Sequence, residues 1–287
     1  MSKSKAKSSI SIFSYPKINL ALDILRRDKS GYHEIQTVFH QLKEPFDEII
    51  LARRENGNLE INCDNTKVPL NEENTVLKAA HLLKKHAGIK NNAKIFIKKR
   101  IPLMSGLGGG SGNAVAALKG LAQLWNINCC EARNKIRDKH GTNCLLRKIA
   151  DQIGMDCQFF FDGGTALATH FGEKITPLPP LPPRIKFEII ETGVEISSQK
   201  AYSQIDLTHS GKNLEKTKAL IAAIRASDAE NILKNLHNDF EDFIFEKYPI
   251  LKNAGGERGK NRVILCGSGG ALVQITDRKP EKLGKIT

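Results

Sequence analysis

Apolar and polar residues alternate through residues 93–101, Ala-Lys-Ile-Phe-Ile-Lys-Lys-Arg-Ile, and that period of two predicts a strand. Residues 114–125 are almost wholly apolar and predict a buried helix. Upstream, residues 10–25 read as extended chain interrupted by Pro16, and residues 37–51 as strand-like stretches around a Glu44-Pro45 turn. Residues 59–63 alternate as a short strand. Val76, Ala80, Leu83 and Ala87 recur at helical spacing behind Asn74, a capping residue type, and Gly88 ends the run. Further on, Leu145, Ile149 and Ile153 are in helical register, whereas residues 132–140 are too polar to bury a face. Residues 154–164 read as an apolar, aromatic strand bounded by glycines, with residues 166–170 as its hairpin partner. The proline-rich residues 177–183 read as a linker. After it come a strand at 186–191, polar helices at 214–226 and 229–245, and a glycine-turned hairpin at 263–275. Strands, helices and strands in two halves predict an α+β protein of two lobes.

Between the strand at 93–101 and the helix from 114 lies Pro102-Leu-Met-Ser-Gly-Leu-Gly-Gly-Gly-Ser-Gly-Asn113. A glycine loop joining a strand to a helix can turn its N–H groups towards an anion, and the helix start adds unpaired donors and partial positive charge. No Lys-Ser/Thr pair follows the last glycine, so the loop is not a Walker A, and no acid about 20 residues on completes a dinucleotide fingerprint. Gly106, Gly108, Gly109 and Gly110 favour phosphate binding over an ordinary tight turn, since each glycine costs chain entropy. Ser111 has a hydroxyl where the helix begins; it suits a phosphate oxygen or Mg²⁺, and equally a plain N-cap.

At 287 residues and 40% hydrophobic content the chain can bury a core of one large or two modest domains. No run of 18 apolar residues exists, which excludes a membrane-spanning helix. Residues 1–9 lack the apolar stretch of a signal peptide and read as a disordered basic tail, so a cytoplasmic location is expected. Lys and Arg number 44 against 31 Asp and Glu, and the resulting +13 favours anionic partners: nucleic acid, or nucleotides and diphosphate esters. Aromatics are only 6%, and Lys98-Lys99-Arg100 holds none, so nothing resembles a base-stacking platform. The six cysteines contain no CxxC pair; their spacing fits no zinc site and suits free thiols in a reducing compartment.

Four passages, Pro16-Lys-Ile-Asn-Leu-Ala-Leu, Gly31-Tyr-His-Glu-Ile-Gln-Thr-Val-Phe, the loop at 102–113, and Gly154-Met-Asp-Cys-Gln-Phe-Phe with Gly172-Glu-Lys, resemble motifs of the GHMP kinase superfamily. Cys266-Gly-Ser-Gly-Gly-Ala-Leu-Val resembles its C-terminal glycine turn. The Gly-Tyr-His-Glu passage resembles the branch that phosphorylates the 2-hydroxyl of a cytidine-diphosphate-linked methylerythritol in the non-mevalonate isoprenoid route. The resemblance implies a two-lobed fold: an ATP-binding and catalytic lobe at 10–172 of the ribosomal protein S5 domain 2-like type, and a ferredoxin-like lobe at 173–287. It implies ATP and Mg²⁺, a small-molecule cytidine diphosphate substrate, and a monomer or weak homodimer. Another superfamily alcohol kinase, or a non-catalytic relative that binds nucleotide or RNA, are the alternative readings.

The same resemblance implies residue roles. Pro102, Met104, Gly106, Leu107, Gly108, Gly109, Gly110, Ser111 and Gly112 would hold ATP, with Ser111 also towards the metal. Asp156 would be the base for the substrate hydroxyl; on its residues alone it reads equally as a turn aspartate like Asp151 or Asp162. Lys17 would lie beside it, steadying the attacking oxygen, where an exposed strand lysine is the plain alternative. Asn19, two residues on and on the same strand face, would bond substrate hydroxyls. Tyr32 and His33 would take the cytosine, with Tyr202 as a second stacking aromatic and Gly267 allowing close backbone approach. Four features depart from the family pattern: Gly112 where a small polar residue is usual, Gln158 where proline is usual, a longer and more polar stretch at 129–143, and the glycine-rich 253–261 where a helix is expected.

Overall fold

The period-two stretches become strands and the period-3.6 stretches become helices in the computed structural model, which describes residues 8–29, 31–127, 144–205, 210–254, 256–258 and 261–278. The first elements are β1 (Ser9–Ser14), β2 (Lys17–Arg27), β3 (His33–Gln41), β4 (Asp47–Arg54), β5 (Glu60–Cys63), α1 (Thr75–Ala87), β6 (Asn92–Lys98) and α2 (Gly109–Leu124). Then come α3 (Leu145–Ala150), a 3-10 turn (Met155–Gln158), α4 (Phe159–Asp162), β7 (Thr165–His170), β8 (Lys174–Leu178), β9 (Ile185–Ile190) and α5 (Ser198–Gln204). The last are α6 (Leu214–Arg225), α7 (Ala229–Lys234), β10 (His237–Asn238), α8 (Glu241–Lys247), α9 (Pro249–Ala254), β11 (Gly256–Arg258), β12 (Asn261–Leu265) and β13 (Leu272–Asp277). The polar stretch at 129–143 and most of the basic tail lie outside the described residues. No helix among the described residues is long and apolar enough to cross a membrane.

Packing divides the chain into two units that interleave along the sequence. One comprises the chain up to Pro16, Leu42–Pro102 and Gly108–Gly163; the other comprises Lys17–Gln41, Leu103–Leu107 and the chain from Gly164 on. The lobes expected at 10–172 and 173–287 are continuous stretches. In the structure β2 and β3 group with the C-terminal half, because β2 takes β10 as a parallel neighbour and β3 pairs with β7.

In the first unit, a four-stranded sheet runs β1-β4-β6-β5, antiparallel except for the β5–β6 pair. Its apolar face, including Ile49, Leu51, Ile95 and Ile97, is buried. Helix α2 lies on this sheet at Gly120, where a Cβ would come within 2.3 Å of Leu51 Cδ1. Helix α1 packs on α2. As its sequence predicts, Asn74 caps it by accepting from the N–H groups of Val76 (2.9 Å) and Leu77 (3.4 Å), and Gly88 closes it in the left-handed region.

The second unit holds a five-stranded sheet, β10-β2-β3-β7-β8, and an antiparallel sheet, β11-β12-β13-β9. Strand β2 is central and buried over most of its length, so Lys17, Asn19 and Asp23 must find partners inside. Leu22 and Ile24 share a core with Phe240, Val263, Leu265 and Leu272.

Several expectations are corrected. Residues 155–162 are helical rather than a strand, so 166–170 is not their hairpin partner: β7 pairs with β3 and β8. A run of three phenylalanines fits either period. Packing decides it: Phe159 and Phe160, adjacent in sequence, are both buried, and Lys119 Nζ bonds the carbonyls of Phe160 (3.0 Å) and Phe161 (2.9 Å) at the helix end. Helix α2 begins at Gly109, five residues before its apolar run, so Ser111 lies in its first turn and is not the N-cap. The linker is shorter than expected, since Pro177 lies in β8. The helix expected at 229–245 is broken by β10, because Asn238 and Asp239 spend their side chains on distant backbone: Asn238 Nδ2 donates to Leu265 O and Gly267 O, and Asp239 Oδ2 accepts from Ile24 N–H. At 253–261, α9 ends at Ala254 and Gly256–Arg258 pairs with β12, in keeping with the glycine content.

Candidate functional site

In the first unit the glycine loop becomes the start of α2. Gly108 is the N-cap, in the left-handed region (φ +70°), and no side chain caps the helix. The N–H of Gly112 already bonds Gly108 O (2.9 Å). The N–H groups of Gly109, Gly110 and Ser111 therefore point out of the first turn, as an anion site requires. Thr75 Oγ1 donates to Gly110 O (2.8 Å), tying α1 to this end. Gly112 is closely packed: a Cβ would lie 2.6 Å from Ser14 Oγ, which would have to turn away, and 3.3 Å from the Phe160 ring.

Asp47 holds the chain at both sides of the loop. Its fully buried carboxylate accepts from Lys99 Nζ (2.5 Å), the N–H groups of Arg100 (2.6 Å) and Ile101 (2.8 Å), and Asn113 Nδ2 (2.8 Å). The end of β6 and the start of α2 are thereby fastened to one anion. Burial pulls the Lys99 amine below its ordinary range, and the adjacent Asp47 opposes that shift.

Asp156 lies on the 3-10 turn and is partly exposed. Gly154, two residues before it, and Cys157, just after it, face Ser111. A Cβ at Gly154 would sit 3.6 Å from Ser111 Oγ, and the Cys157 thiol donates to Ser111 O (3.9 Å). Burial pushes the Cys157 thiol up to about 12, so it stays protonated and is no nucleophile. The structure thus brings Asp156 into the same neighbourhood as Ser111 and the open end of α2.

In the second unit Lys17 is buried. Its Nζ donates to Asn19 Oδ1 (2.9 Å) and lies 4.9 Å from the centre of the Phe39 ring. Asn19 Nδ2 donates to Thr37 Oγ1 (2.8 Å), which donates to Ala21 O (2.6 Å). The plain alternative of an exposed strand lysine is therefore overturned: β2 is central, and the amine sits in a polar chain. Gly267 borders it, since a Cβ there would lie 3.2 Å from Asn19 Oδ1 and 3.3 Å from Lys17 Nζ.

Residues 103–107 are knitted to the same turn. Lys17 N–H bonds Leu107 O (2.9 Å), while Gly270 N–H and Ala271 N–H bond Met104 O and Ser105 O (3.2 Å each). A Cβ on Gly106 would fall 1.6 Å from Cys266 O, and one on Gly269 would fall 2.0 Å from Gly106 N, so both must be glycine. Leu107 is buried, with its carbonyl accepting from Lys17 N–H and its own N–H donating to Ser105 Oγ (3.4 Å), whereas Met104 is 55% exposed. Pro102 lies at the end of the other unit's stretch and is partly exposed. Lys17 and Asp156 belong to different units.

Tyr32 is 54% exposed with its ring against Phe171 (5.6 Å between centres), so it is not a core tyrosine. His33 stacks on Tyr202 (5.4 Å, 27° between planes), and Tyr202 meets Phe240 edge-on. Partial burial, with Arg27 adding to it, holds the His33 imidazole below its usual range, so it is neutral at pH 7. The sequence reading of the site missed Asp47, Thr75 and Phe171. An acid within an apolar stretch was the only local signal for Asp47, and its partners lie some fifty residues away. Among the described residues no three His, Cys, Asp or Glu side chains gather to hold a metal ion, and Cys63, Cys144, Cys157 and Cys266 are free thiols.

Residues 74–164, from the cap of α1 to the residue before β7, match the family model for the GHMP kinases N terminal domain. A 4-diphosphocytidyl-2-C-methyl-D-erythritol kinase from Caldicellulosiruptor bescii is 34% identical over 270 residues, covering 92% of this chain and 88% of that protein. One from Shouchella clausii is 34% identical over 266 residues, covering 92% and 84%. Among solved structures, a 4-(cytidine 5'-diphospho)-2C-methyl-D-erythritol kinase superposes with a TM-score of 0.70 at 27% identity, covering 93% of this chain and 90% of that one. A homoserine kinase from Cytophaga hutchinsonii shares the fold, with a TM-score of 0.71 at 18% identity over 97% of this chain and 88% of that one. With identity of this order sustained along nine-tenths of its length, the chain belongs to the 4-diphosphocytidyl-2-C-methyl-D-erythritol kinase family of GHMP kinases.

Proposed function

We propose that this chain transfers the γ-phosphoryl group of ATP to the 2-hydroxyl of 4-diphosphocytidyl-2-C-methyl-D-erythritol, with the open N-terminus of α2 as the phosphate cradle and Asp156 as the base. The observation that carries this reading is the first turn of α2, where uncapped N–H groups and the Ser111 hydroxyl stand beside the turn bearing Asp156.

Phosphoryl transfer needs positioning and charge neutralisation above all. The N–H groups of Gly109, Gly110 and Ser111 hold phosphate oxygens, and the left-handed Gly108 lets the chain turn to aim them. Asp156 accepts the proton of the substrate hydroxyl. That oxygen bonds to the γ-phosphorus as the bond to the ADP oxygen breaks. Lys17 offsets negative charge on the reacting oxygens, and Asn19 holds it and bonds the substrate's hydroxyls. Tyr32, His33 and Tyr202 take the cytosine, whose ring stacks on an aromatic face; neutral His33 offers one donor and one acceptor to its polar edge. Gly267 allows the substrate close to the backbone. The Ser111 hydroxyl would be the protein's donor to a Mg²⁺ ion brought in by the nucleotide. That fits a site in which the described residues form no acidic nest of three. Such an ion would supply positive charge against the phosphates.

The test is ATP consumption with Mg²⁺ and the cytidyl-erythritol substrate, run beside a panel of other alcohols. Asp156→Ala and Lys17→Ala are each expected to lower kcat by about 10²–10⁴-fold while nucleotide binding stays measurable. Near-native turnover in both variants would show that the chemistry lies elsewhere, and turnover of another alcohol alone would reassign the substrate.

A further inference from the structure

Asp156 rides on a single 3-10 turn, which is too short to hold its own shape. The side chain that fixes this turn is Gln158, two residues on and only 8% exposed. Gln158 Nε2 donates to Asp151 Oδ1 (2.6 Å) and to Arg147 O (2.9 Å). Its Oε1 accepts from Arg147 Nη1 (3.2 Å). The amide therefore clasps the end of α3, which is itself anchored by buried Leu146 and Ile149. Arg147 reaches past the turn as well, pairing with Asp162 (2.8 Å) and lying over the Phe161 ring (4.6 Å). The turn is thus gripped from α3 on one side and meets Ser111 on the other.

The chemistry of the clasp is specific. Two acceptors, a carboxylate and a carbonyl, converge on one nitrogen, and a guanidinium donor meets the neighbouring oxygen. Only a primary amide supplies two donors and an acceptor at that spacing. We propose that Gln158 is a positioning residue for the reaction: its amide locks the turn so that the Asp156 carboxylate is held in register with Ser111 and the open end of α2. This inference rests on Asp156 being the base.

The full chain with Gln158→Met, which keeps volume but loses every side-chain hydrogen bond, is expected to lose kcat by about 10–100-fold, the scale of an ångström's misplacement, while KM for ATP changes little. Gln158→Glu puts a carboxylate against Asp151. Protonating the introduced carboxyl restores a donor, so the ratio of its kcat to the native value should rise as pH falls. In an Asp156→Asn background, Gln158→Met should cost nothing further, as expected of a residue acting through Asp156. Native kcat in folded Gln158→Met beside an inactive Asp156→Asn would overturn the positioning role while leaving the base in place. Native kcat in Asp156→Asn would remove the base, and this inference with it. If Gln158→Met does not fold, the kcat ratio of Gln158→Glu across pH decides alone, and a flat ratio overturns the proposal.

Discussion

At the scale of single residues, burial sets the chemistry. Lys17, Asn19 and Asp23 are polar side chains on a strand with little access to water, and each is matched to a partner. Glu241 shows the same rule acting on stability. Its carboxylate accepts from Leu265 N–H (2.9 Å), yet burial pushes its pKa up to about 7. The folded chain therefore keeps a proton that the unfolded chain releases above about pH 4.3. The stability from this group is fully present below that range and is lost as pH rises through about 7. His40 acts at the other end. Burial holds its imidazole at about 4, so its contribution is present above the usual histidine range and is lost as pH falls towards that value. Glu241→Gln keeps the acceptor for Leu265 and removes the titration. Thermal unfolding across pH should find the variant more stable than the native chain at alkaline pH, with the gap closing in acid. A gap that does not change with pH would show that Glu241 does not titrate with folding.

At the scale of elements, the glycine loop depends on what anchors its two ends. Asp47 gathers the end of β6 and the start of α2 onto one carboxylate, and the phosphate cradle is only as rigid as that junction. Asp47→Ala would strand the buried Lys99 amine and leave two N–H groups and an amide without their acceptor. The expected loss is about 3–5 kcal/mol, read by denaturant unfolding, with nucleotide affinity falling in any molecules that remain folded. Asp47→Asn keeps an acceptor and should lose less; equal losses would show that the charge pairing decides. The elements also show where sequence reading stops. Asn74 and Gly88 bounded α1 correctly, because a cap acts within one turn of the residue that makes it. The helix at 155–162 was not legible, because neither period nor glycine content distinguishes a buried strand from a helical turn, and the deciding contacts come from Lys119 and Arg147.

At the scale of the whole molecule, the net charge of +13 acts on every anion that approaches. ATP and a cytidine diphosphate ester are both anions, so raising ionic strength should raise KM for each while kcat changes less, because screening weakens attraction over distances beyond about 10 Å. KM values indifferent to salt would assign the surplus lysines to solvation alone. The chain by itself determined the strand and helix periods, the glycine loop at its strand-to-helix junction, and the motifs that carry Lys17, Asn19 and Asp156, because each is written in residues within a few turns of one another. Tertiary structure alone decided that β2 lies between β3 and β10, that Lys17 is buried against Phe39, that His33 meets Tyr202, and that Asp47 and Gln158 are clasps. Those outcomes join residues from seven to more than two hundred positions apart. No local preference encodes them; they follow from which polar groups must be satisfied once the core closes around them.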